Sequence, residues 1–372
     1  MRSLLRKCFL GLLLLALFCV LLYKMRGAIT LEGFRWSVLY GTVRGARHSL
    51  LFLSIYTIYA CYAIRALRWM RFSRYIGEPA FAPVYSGTLM GFASVFLLGR
   101  VGEPIRPLLI ARKARLPVSS TFGIYVLERV TDIAATAVLA GFALLIFTRR
   151  GMHGDESGAL FAHARTAGVV LLAGVTAAIA FLVYFRYHGA GALARRLQAA
   201  PPRVGWRAKC AGLFAGFSEG LQSIRTWGDL FWAVFYTFAH WLLVAWIYLW
   251  IAHAFRGELR TLDFSSALLV LAFTMVGSTV QLPGVGGGAQ LATFLVFTTI
   301  FGVEKEPAAA AAITLWLITF AASCIAGVPL LIREGWSMGE LLNLARAEAA
   351  AESAGRHANV AHNPEKAGEK PK

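Results

Sequence analysis

Six charged residues lie in two otherwise apolar segments, three of them at positions 100–106 and three at 128–132. An ionisable side chain among apolar groups costs about 3 kcal/mol or more at membrane depth, so such residues are functional candidates by default. Glu128 and Asp132 are four residues apart and share one helix face, whereas Arg129 points elsewhere. We expect Arg129 to pair with Glu103, and an arginine at 100 or 106 to pair with Glu128 or Asp132. The set consists of Arg100, Glu103, Arg106, Glu128, Arg129 and Asp132.

These six residues fit two hypotheses. In the first, the charges satisfy one another as buried ion pairs that hold two segments together. In the second, at least one arginine is left for a substrate, because the planar guanidinium group matches phosphate oxygens with two parallel hydrogen bonds. The second hypothesis makes phosphate the group that the site recognises.

A second candidate region is the glycine-rich turn at 282–288, where the backbone can approach a bound group closely. Its glycines expose amides to an anion, and a half-helix starting near Ala289 directs its positive end to the same place. The two glutamines that flank the turn either hydrogen-bond a bound headgroup or cap backbone groups. The candidate residues are Gln281, Pro283, Gly284, Gly286 and Gln290.

Signals of an enzyme are weak. The chain contains no HExxH, GxSxG or P-loop motif, its eight histidines are scattered, and its five cysteines show no CxxC spacing. His240 lies in the middle of an apolar segment and is expected to be a hydrogen-bonded structural residue. We expect no catalytic residue, no metal and no cofactor, and the missing P-loop excludes a nucleotide motor within this chain.

The composition predicts an integral membrane protein. Of 372 residues, 58% are hydrophobic and 15% are charged, whereas soluble domains carry about 25% charged residues. An ordinary soluble enzyme and a disordered chain are therefore excluded. The 37 Lys and Arg residues outnumber the 19 Asp and Glu residues, which indicates positively charged cytoplasmic loops far more than nucleic-acid binding. We expect no nucleic-acid partner.

Eight apolar stretches, almost free of charged residues, qualify as membrane segments, since a transmembrane helix needs about 20 mostly apolar residues. Two of them, 79–99 and 264–303, are broken by Pro and Gly. Non-helical backbone is tolerated at membrane depth only inside protein or beside water, so we predict both as re-entrant hairpins. The predicted fold is an all-α polytopic membrane bundle of six full spans and two re-entrant helical hairpins. The full spans are 8–23, 49–64, 116–148, 166–185, 230–255 and 307–332.

The two breaks resemble each other, since Leu98–Gly102 reads LGRVG and Leu282–Gly286 reads LPGVG. Broken helices at matching places in two halves of a chain are typical of transporters built from an inverted repeat. With both termini cytoplasmic, three full spans separate the hairpins, as an inverted repeat requires. Most basic residues then fall in cytoplasmic segments, one of which is predicted at Arg65 to Arg74.

The membrane domain is expected to cover residues 1–333. Its cytoplasmic loop at 186–228 has apolar residues at helical spacing, which predicts an amphipathic helix on the membrane surface or packed on the bundle. Residues 334–372 are rich in Ala, Glu and Lys and are expected to form a cytoplasmic, largely disordered tail.

Three segments together resemble a known family. RVGEPIRPLL at 100–109, ERVTD at 128–132 and LPGVGG at 282–287 are similar to the flippase-like family related to the transmembrane region of lysylphosphatidylglycerol synthase, over roughly residues 8–332. The resemblance implies a multi-pass protein of the bacterial inner membrane that moves, or helps to move, a phospholipid or isoprenoid-type lipid between leaflets. It marks as site residues Arg100, Gly102, Glu103, Arg106, Glu128, Arg129, Asp132, Pro283 and Gly284.

The chain departs from the family pattern at two positions. Gln290 stands where members often carry Glu, and Trp316 stands nearest to a frequent Arg of the last span. Both departures remove charge near the second hairpin. The sequence also stops at 372 without a soluble acyltransferase domain, so lipid aminoacylation is not expected.

We therefore expect a lipid flippase, either ion-coupled or without energy input, whose substrate is an anionic phospholipid or isoprenoid-type lipid. The first alternative is an enzyme on lipid phosphates with Glu103, Glu128 or Asp132 as general base. The second is a non-transporting partner of a lipid or glycan synthesis enzyme. A homodimer and a complex with a lipid-synthesis enzyme are both left open.

Overall fold

A computed structural model describes the parts of the chain that position the candidate site. The described residues are 35–151, 223–278, 281–282 and 286–335, with a few single positions between 166 and 176. The predicted span 8–23, most of the span 166–185, the amphipathic helix of the 186–228 loop and nearly all of the 334–372 tail lie outside them. Pro283 and Gly284 also lie outside the described residues.

The described architecture is helical, apart from one pair of two-residue strands. The strands are antiparallel, with Gln281 opposite Gly287 and Leu282 opposite Gly286. In chain order the elements are α1 Trp36–Arg44, α2 His48–Ser73, α3 Phe81–Leu98, α4 Ile105–Ala114, α5 Val118–Gly151, α6 Trp227–Ala254, α7 Phe264–Gly277, β1 Gln281–Leu282, β2 Gly286–Gly287, α8 Gly288–Leu295, α9 Lys305–Trp316 and α10 Ala322–Arg333. Short 3₁₀ helices at Gly99–Gly102 and Gly257–Thr261 and π-helical turns at Val296–Ile300 and Leu317–Ala321 connect or extend these helices.

Five described helices are long and apolar enough to cross a membrane. Four of them correspond to predicted full spans, and the fifth is the first arm of the predicted first hairpin. The two other predicted spans fall mostly or wholly outside the described residues. The five helices are His48–Ser73, Phe81–Leu98, Val118–Ile146, Trp227–Ala254 and Lys305–Arg333.

Two helices that follow the undescribed segment begin at strong N-caps. The Thr226 hydroxyl accepts from the Asp229 backbone N–H at 3.1 Å, and the Asp229 carboxylate accepts from the Thr226 N–H at 2.9 Å. This capping box satisfies two backbone donors at the start of α6. Asp263 caps α7 by accepting from the Ser266 N–H at 2.9 Å. Both helix starts are therefore encoded locally.

The first broken segment forms an antiparallel helical hairpin of α3 and α4. Three close contacts join the two arms, and later positions in α3 contact earlier positions in the second arm, as in an antiparallel pair. The contacts are Gly87 with Ile110, Gly91 with Arg106 and Ser94 with Gly102. The chain reverses at the Gly99–Gly102 turn. There Gly99 has φ +65° and ψ −147°, a conformation that side-chain-bearing residues rarely adopt.

The second broken segment repeats this design with α7 and α8. Gly277 lies against Gly288 and Ala292, and the hydroxyls of Thr274 and Thr293 are 2.7 Å apart. Gly287, which has φ +126°, precedes α8. Both hairpins thus turn at glycines in backbone regions that other residues avoid.

Among the described residues, the order of elements is the same before 152 and after 222: a long helix, a hairpin and a second long helix. Helices α2 and α6 are equivalent in this order and pack antiparallel, since Arg47 contacts Ala254 near one end and Arg74 contacts Asp229 near the other. The packing is also reciprocal. The hairpin helix α3 packs on α10 of the second half, and the hairpin helix α7 packs on α5 of the first half.

Gly102→Ala is expected to destabilise the first hairpin. A Cβ atom at this position would lie 2.4 Å from the Ser94 carbonyl oxygen, so the two arms must separate at a cost of about 1–3 kcal/mol. A lower midpoint of thermal unfolding of the purified protein in detergent would show this. The matched control is Gly41→Ala, where a Cβ atom meets nothing within 4 Å, and equal midpoints for the two variants would contradict the prediction.

Candidate functional site

A network of buried ion pairs joins α2 to α5. Arg65 donates to Glu128 Oε1 at 2.7 Å and to Asp132 Oδ2 at 3.0 Å. Arg68 donates to the same Glu128 oxygen at 2.8 Å and to Asp132 Oδ1 at 2.8 Å. Each arginine therefore bridges both carboxylates, which requires Glu128 and Asp132 to share one helix face. At most 5% of the surface of any of these four residues is exposed.

The network extends to both the first hairpin and α6. Arg106, on α4, pairs with Glu128 Oε2, which also accepts from the Trp69 indole N–H at 2.9 Å. The Arg106–Glu128 pair is one of the pairings that the sequence predicts. On the α6 side, Arg68 donates to the Thr237 hydroxyl at 2.7 Å, and the Trp241 indole donates to Asp132 at 3.3 Å. All four carboxylate oxygens of Glu128 and Asp132 are thus occupied.

Arg129 and Glu103 meet at Tyr125 instead of in a direct ion pair. The Tyr125 hydroxyl donates to Glu103 at 2.8 Å. The guanidinium groups of Arg129 and Arg106 each lie 5.2 Å from the centre of the Tyr125 ring. Cations over an aromatic ring are stabilised by its quadrupole, so one tyrosine holds two arginines and the carboxylate of Glu103 in one place. Of Arg100, only the backbone is described.

Three buried nitrogens of this site have no hydrogen-bond partner among the described residues: Arg68 Nε, Arg129 Nε and His240 Nδ1. His240 Nε2 lies 3.1 Å from Arg65 Nε, and because arginine only donates, this histidine nitrogen is the acceptor and the His240 proton is on Nδ1. All three unpartnered atoms are therefore N–H donors. The prediction that His240 is a hydrogen-bonded residue agrees with this contact.

The described side chains of this site carry more positive than negative charge. Three carboxylates, Glu103, Glu128 and Asp132, face four guanidinium groups. With His240 neutral, one positive charge is left over. The four arginines are Arg65, Arg68, Arg106 and Arg129.

The tips of the two hairpins are neighbours. The Gln281–Leu282 strand lies within 8 Å, Cα to Cα, of the Gly99–Gly102 turn, and Arg106 is one turn beyond that tip on α4. The Gln290 side chain caps the start of α8, since its oxygen accepts from the Gly287 N–H. Of the two roles predicted for it, capping is the one that this contact shows. Of Gln281 and Gly286, only the backbone is described.

Arg65 and Arg68 are the residues that sequence reasoning missed. The sequence predicts a cytoplasmic segment at Arg65 to Arg74, whereas the structure places these two side chains inside the bundle, where they are 5% and 1% exposed. The stretch without charged residues ends at Ile64, whereas α2 continues to Ser73. The available signal was the spacing of the two arginines, since residues three apart lie on one helix face.

None of the described residues form a group of three or more His, Cys, Asp or Glu side chains that could hold a metal ion. The two described cysteines, Cys61 and Cys324, are free thiols. The chemistry of the described site is therefore that of arginines, carboxylates and aromatic rings.

Apolar helices long enough to cross a bilayer, joined by hairpins and buried ion pairs, define a multi-pass helical membrane protein. The family model described as the lysylphosphatidylglycerol synthase TM region matches residues 2–327. The chain belongs to this family, as its motifs predict, and the family relates it to lipid handling. Neither a curated protein nor a solved structure matches the chain.

Proposed function

We propose that this protein is a lipid flippase of the bacterial inner membrane that moves a phosphate-bearing lipid, an anionic phospholipid or isoprenoid-type lipid, between leaflets. In this proposal both termini are cytoplasmic. The observation that carries it is the surplus of buried guanidinium groups over carboxylates next to the meeting hairpin tips. An unpaired buried charge is costly, and the phosphate of a lipid headgroup supplies the missing negative charge.

The unpartnered donors support the same ligand. A phosphate group offers several acceptor oxygens, and Arg129 and His240 each hold a buried N–H without an acceptor. Hydrogen bonds between ionised groups are about twice as strong as neutral ones. We infer that Arg106 and Arg129, which both contact the Tyr125 ring, bind the phosphate, while Arg65 and Arg68 keep Glu128 and Asp132 in position.

The arrangement of the two halves supports alternating exposure of this site. Equivalent long helices are antiparallel and hairpins pack reciprocally, as expected for an inverted repeat. Helix α4 has 10 residues and α7 has 14, so at about 1.5 Å per residue neither reaches across a hydrocarbon core of about 30 Å. We infer that both hairpins are re-entrant and that the halves rock about the α2–α6 contact.

The hydrogen bonds of Glu128 and Asp132 disfavour these two residues as the general base of an enzyme of lipid phosphates. A general base needs an oxygen within hydrogen-bond reach of its substrate. All oxygens of Glu128 and Asp132 accept from protein donors, so neither can take a proton unless the network opens. Transport can use the same residues while the ion-pair network stays closed.

Reconstitution in liposomes tests the proposal. The purified protein is expected to exchange a fluorescent phosphatidylglycerol between leaflets faster than protein-free liposomes do, and to return the lipid chemically unchanged. A chemically altered lipid would instead indicate the enzyme. If no anionic or isoprenoid phosphate lipid is either exchanged or chemically altered, the transport proposal is overturned. The role of a partner in lipid synthesis would then remain.

A further inference from the structure

An open cleft lies on the outside of the bundle, where α2 ends and α6 begins. Its volume is about 560 Å³. Polar side chains and apolar ones line it together, among them Arg71, Glu78 and Tyr236 with Leu67. The cleft is separate from the buried network, because Arg68 points into the bundle whereas Arg71, one turn later on α2, lines the cleft.

Two charges of the cleft have no ionic partner among the described residues. Arg74 pairs with Asp229 at 2.7 Å, so these two charges cancel. Arg71 contacts the ring of Trp232, with 5.3 Å between the guanidinium carbon and the ring centre, and forms no ion pair with a described carboxylate. Glu78 is exposed and has no described partner. One positive and one negative charge are therefore available in the same cleft.

The surface beside the cleft is apolar and aromatic. Trp232 packs on Phe231 and Phe235, with ring centres 5.5 and 5.6 Å apart. Phe231 is 61% and Phe235 49% exposed, and Leu67 on α2 is 37% exposed. Aromatic side chains with one polar and one apolar side are enriched where a membrane meets water. One side of the cleft thus offers charged groups to a lipid headgroup, and the other side offers apolar surface to acyl chains.

We propose that this cleft binds one phospholipid of the surrounding leaflet whose headgroup carries an amine as well as a phosphate. Arg71 and the Tyr236 hydroxyl hold the phosphate, Glu78 holds the ammonium group, and the acyl chains cover Phe231 and Phe235. An anionic headgroup would leave Glu78 facing negative charge, whereas an aminophospholipid matches both charges. This site does not depend on transport and is distinct from the central site.

Native mass spectrometry of the full chain in detergent tests this proposal, with phosphatidylethanolamine, phosphatidylcholine and phosphatidylglycerol of identical chains as probes. Phosphatidylethanolamine is expected to bind about tenfold more tightly than phosphatidylcholine, because methylation removes the N–H donors to Glu78. Glu78→Gln is expected to abolish this difference. Arg71→Gln is expected to weaken the binding of all three lipids about tenfold, since their shared phosphate loses its cation.

Glu258→Gln and Arg112→Gln are matched controls, since both residues are exposed and neither lines the cleft. They are expected to bind phosphatidylethanolamine as the unchanged protein does. Tightest binding of phosphatidylglycerol, equal binding of the three lipids, or an unchanged affinity in Arg71→Gln would each overturn the proposal. Because binding is measured without leaflet exchange, its failure is distinct from a failure of transport.

Discussion

Glu128→Gln is expected to destabilise the protein by about 3–5 kcal/mol, the usual cost of removing one partner from a buried ion pair. Glu128 is fully buried and accepts from four donors, Arg65, Arg68, Trp69 and Arg106. The amide keeps the shape of the side chain but turns two donor hydrogens toward groups that only donate. Asp132 is then the one described carboxylate that still pairs with Arg65 and Arg68. The yield of monodisperse protein and the midpoint of thermal unfolding in detergent measure the effect.

A second substitution separates loss of charge balance from loss of shape. In Glu128→Gln combined with Arg106→Met, one charge of each sign is removed, so the surplus of the network returns to its original value. We expect this double variant to be more stable than Glu128→Gln alone, since residues within one network do not act additively. Glu258→Gln, on the exposed 3₁₀ helix, is the matched control. A Glu128→Gln protein as stable as the unchanged protein would refute the network as a determinant of folding.

Arg129→Ala is expected to lower leaflet exchange about 100-fold or more while the protein still folds. The structure gives Arg129 no ion pair with a described carboxylate, and its Nε has no hydrogen-bond partner there, so it contributes little as a structural tether. Two charge-assisted hydrogen bonds to a phosphate are worth about two factors of ten in binding. The measurement is the exchange rate of fluorescent phosphatidylglycerol in liposomes, at a matched amount of folded protein.

Arg106→Ala is expected to lose exchange as well, with some loss of stability, because Arg106 also pairs with Glu128. Arg112→Ala, on the exposed side of the same helix, should exchange lipid at the unchanged rate. Normal exchange in both Arg106→Ala and Arg129→Ala would remove these residues from the proposed phosphate site. Loss of folded protein in both would instead favour the hypothesis that the charges serve only as ion pairs.

Each of the two hypotheses of the charged cluster finds support in a different part of the network. Glu128 and Asp132 form ion pairs with the arginines of α2, as the hypothesis of mutually satisfied ion pairs requires. The arginines exceed the carboxylates, and Arg129 keeps an unpartnered donor, as the phosphate hypothesis requires. The carboxylates therefore hold the arginines in place, and the surplus of arginine gives the site its proposed affinity for anions.

The sequence by itself determined the elements and their chemistry. Apolar stretches of sufficient length predict the long helices, because the only way to satisfy backbone polar groups in a bilayer core is within a helix or a closed barrel. The breaks at Gly99–Gly102 and 282–288 predict the two hairpins, since glycine permits backbone conformations that other residues avoid. The four-residue spacing of Glu128 and Asp132 predicts their common face. All of these are local properties that neighbouring residues decide.

Only the tertiary structure decided which groups meet. Arg65 and Arg68 are the main partners of Glu128 and Asp132 because α2 packs between α5 and α6. The residues near positions 65 and 68 give no signal of carboxylates about sixty residues later in the chain. The meeting of the two hairpin tips likewise depends on how the halves pack. A side chain's burial and charge balance depend on distant segments, and the chain around a residue cannot encode them.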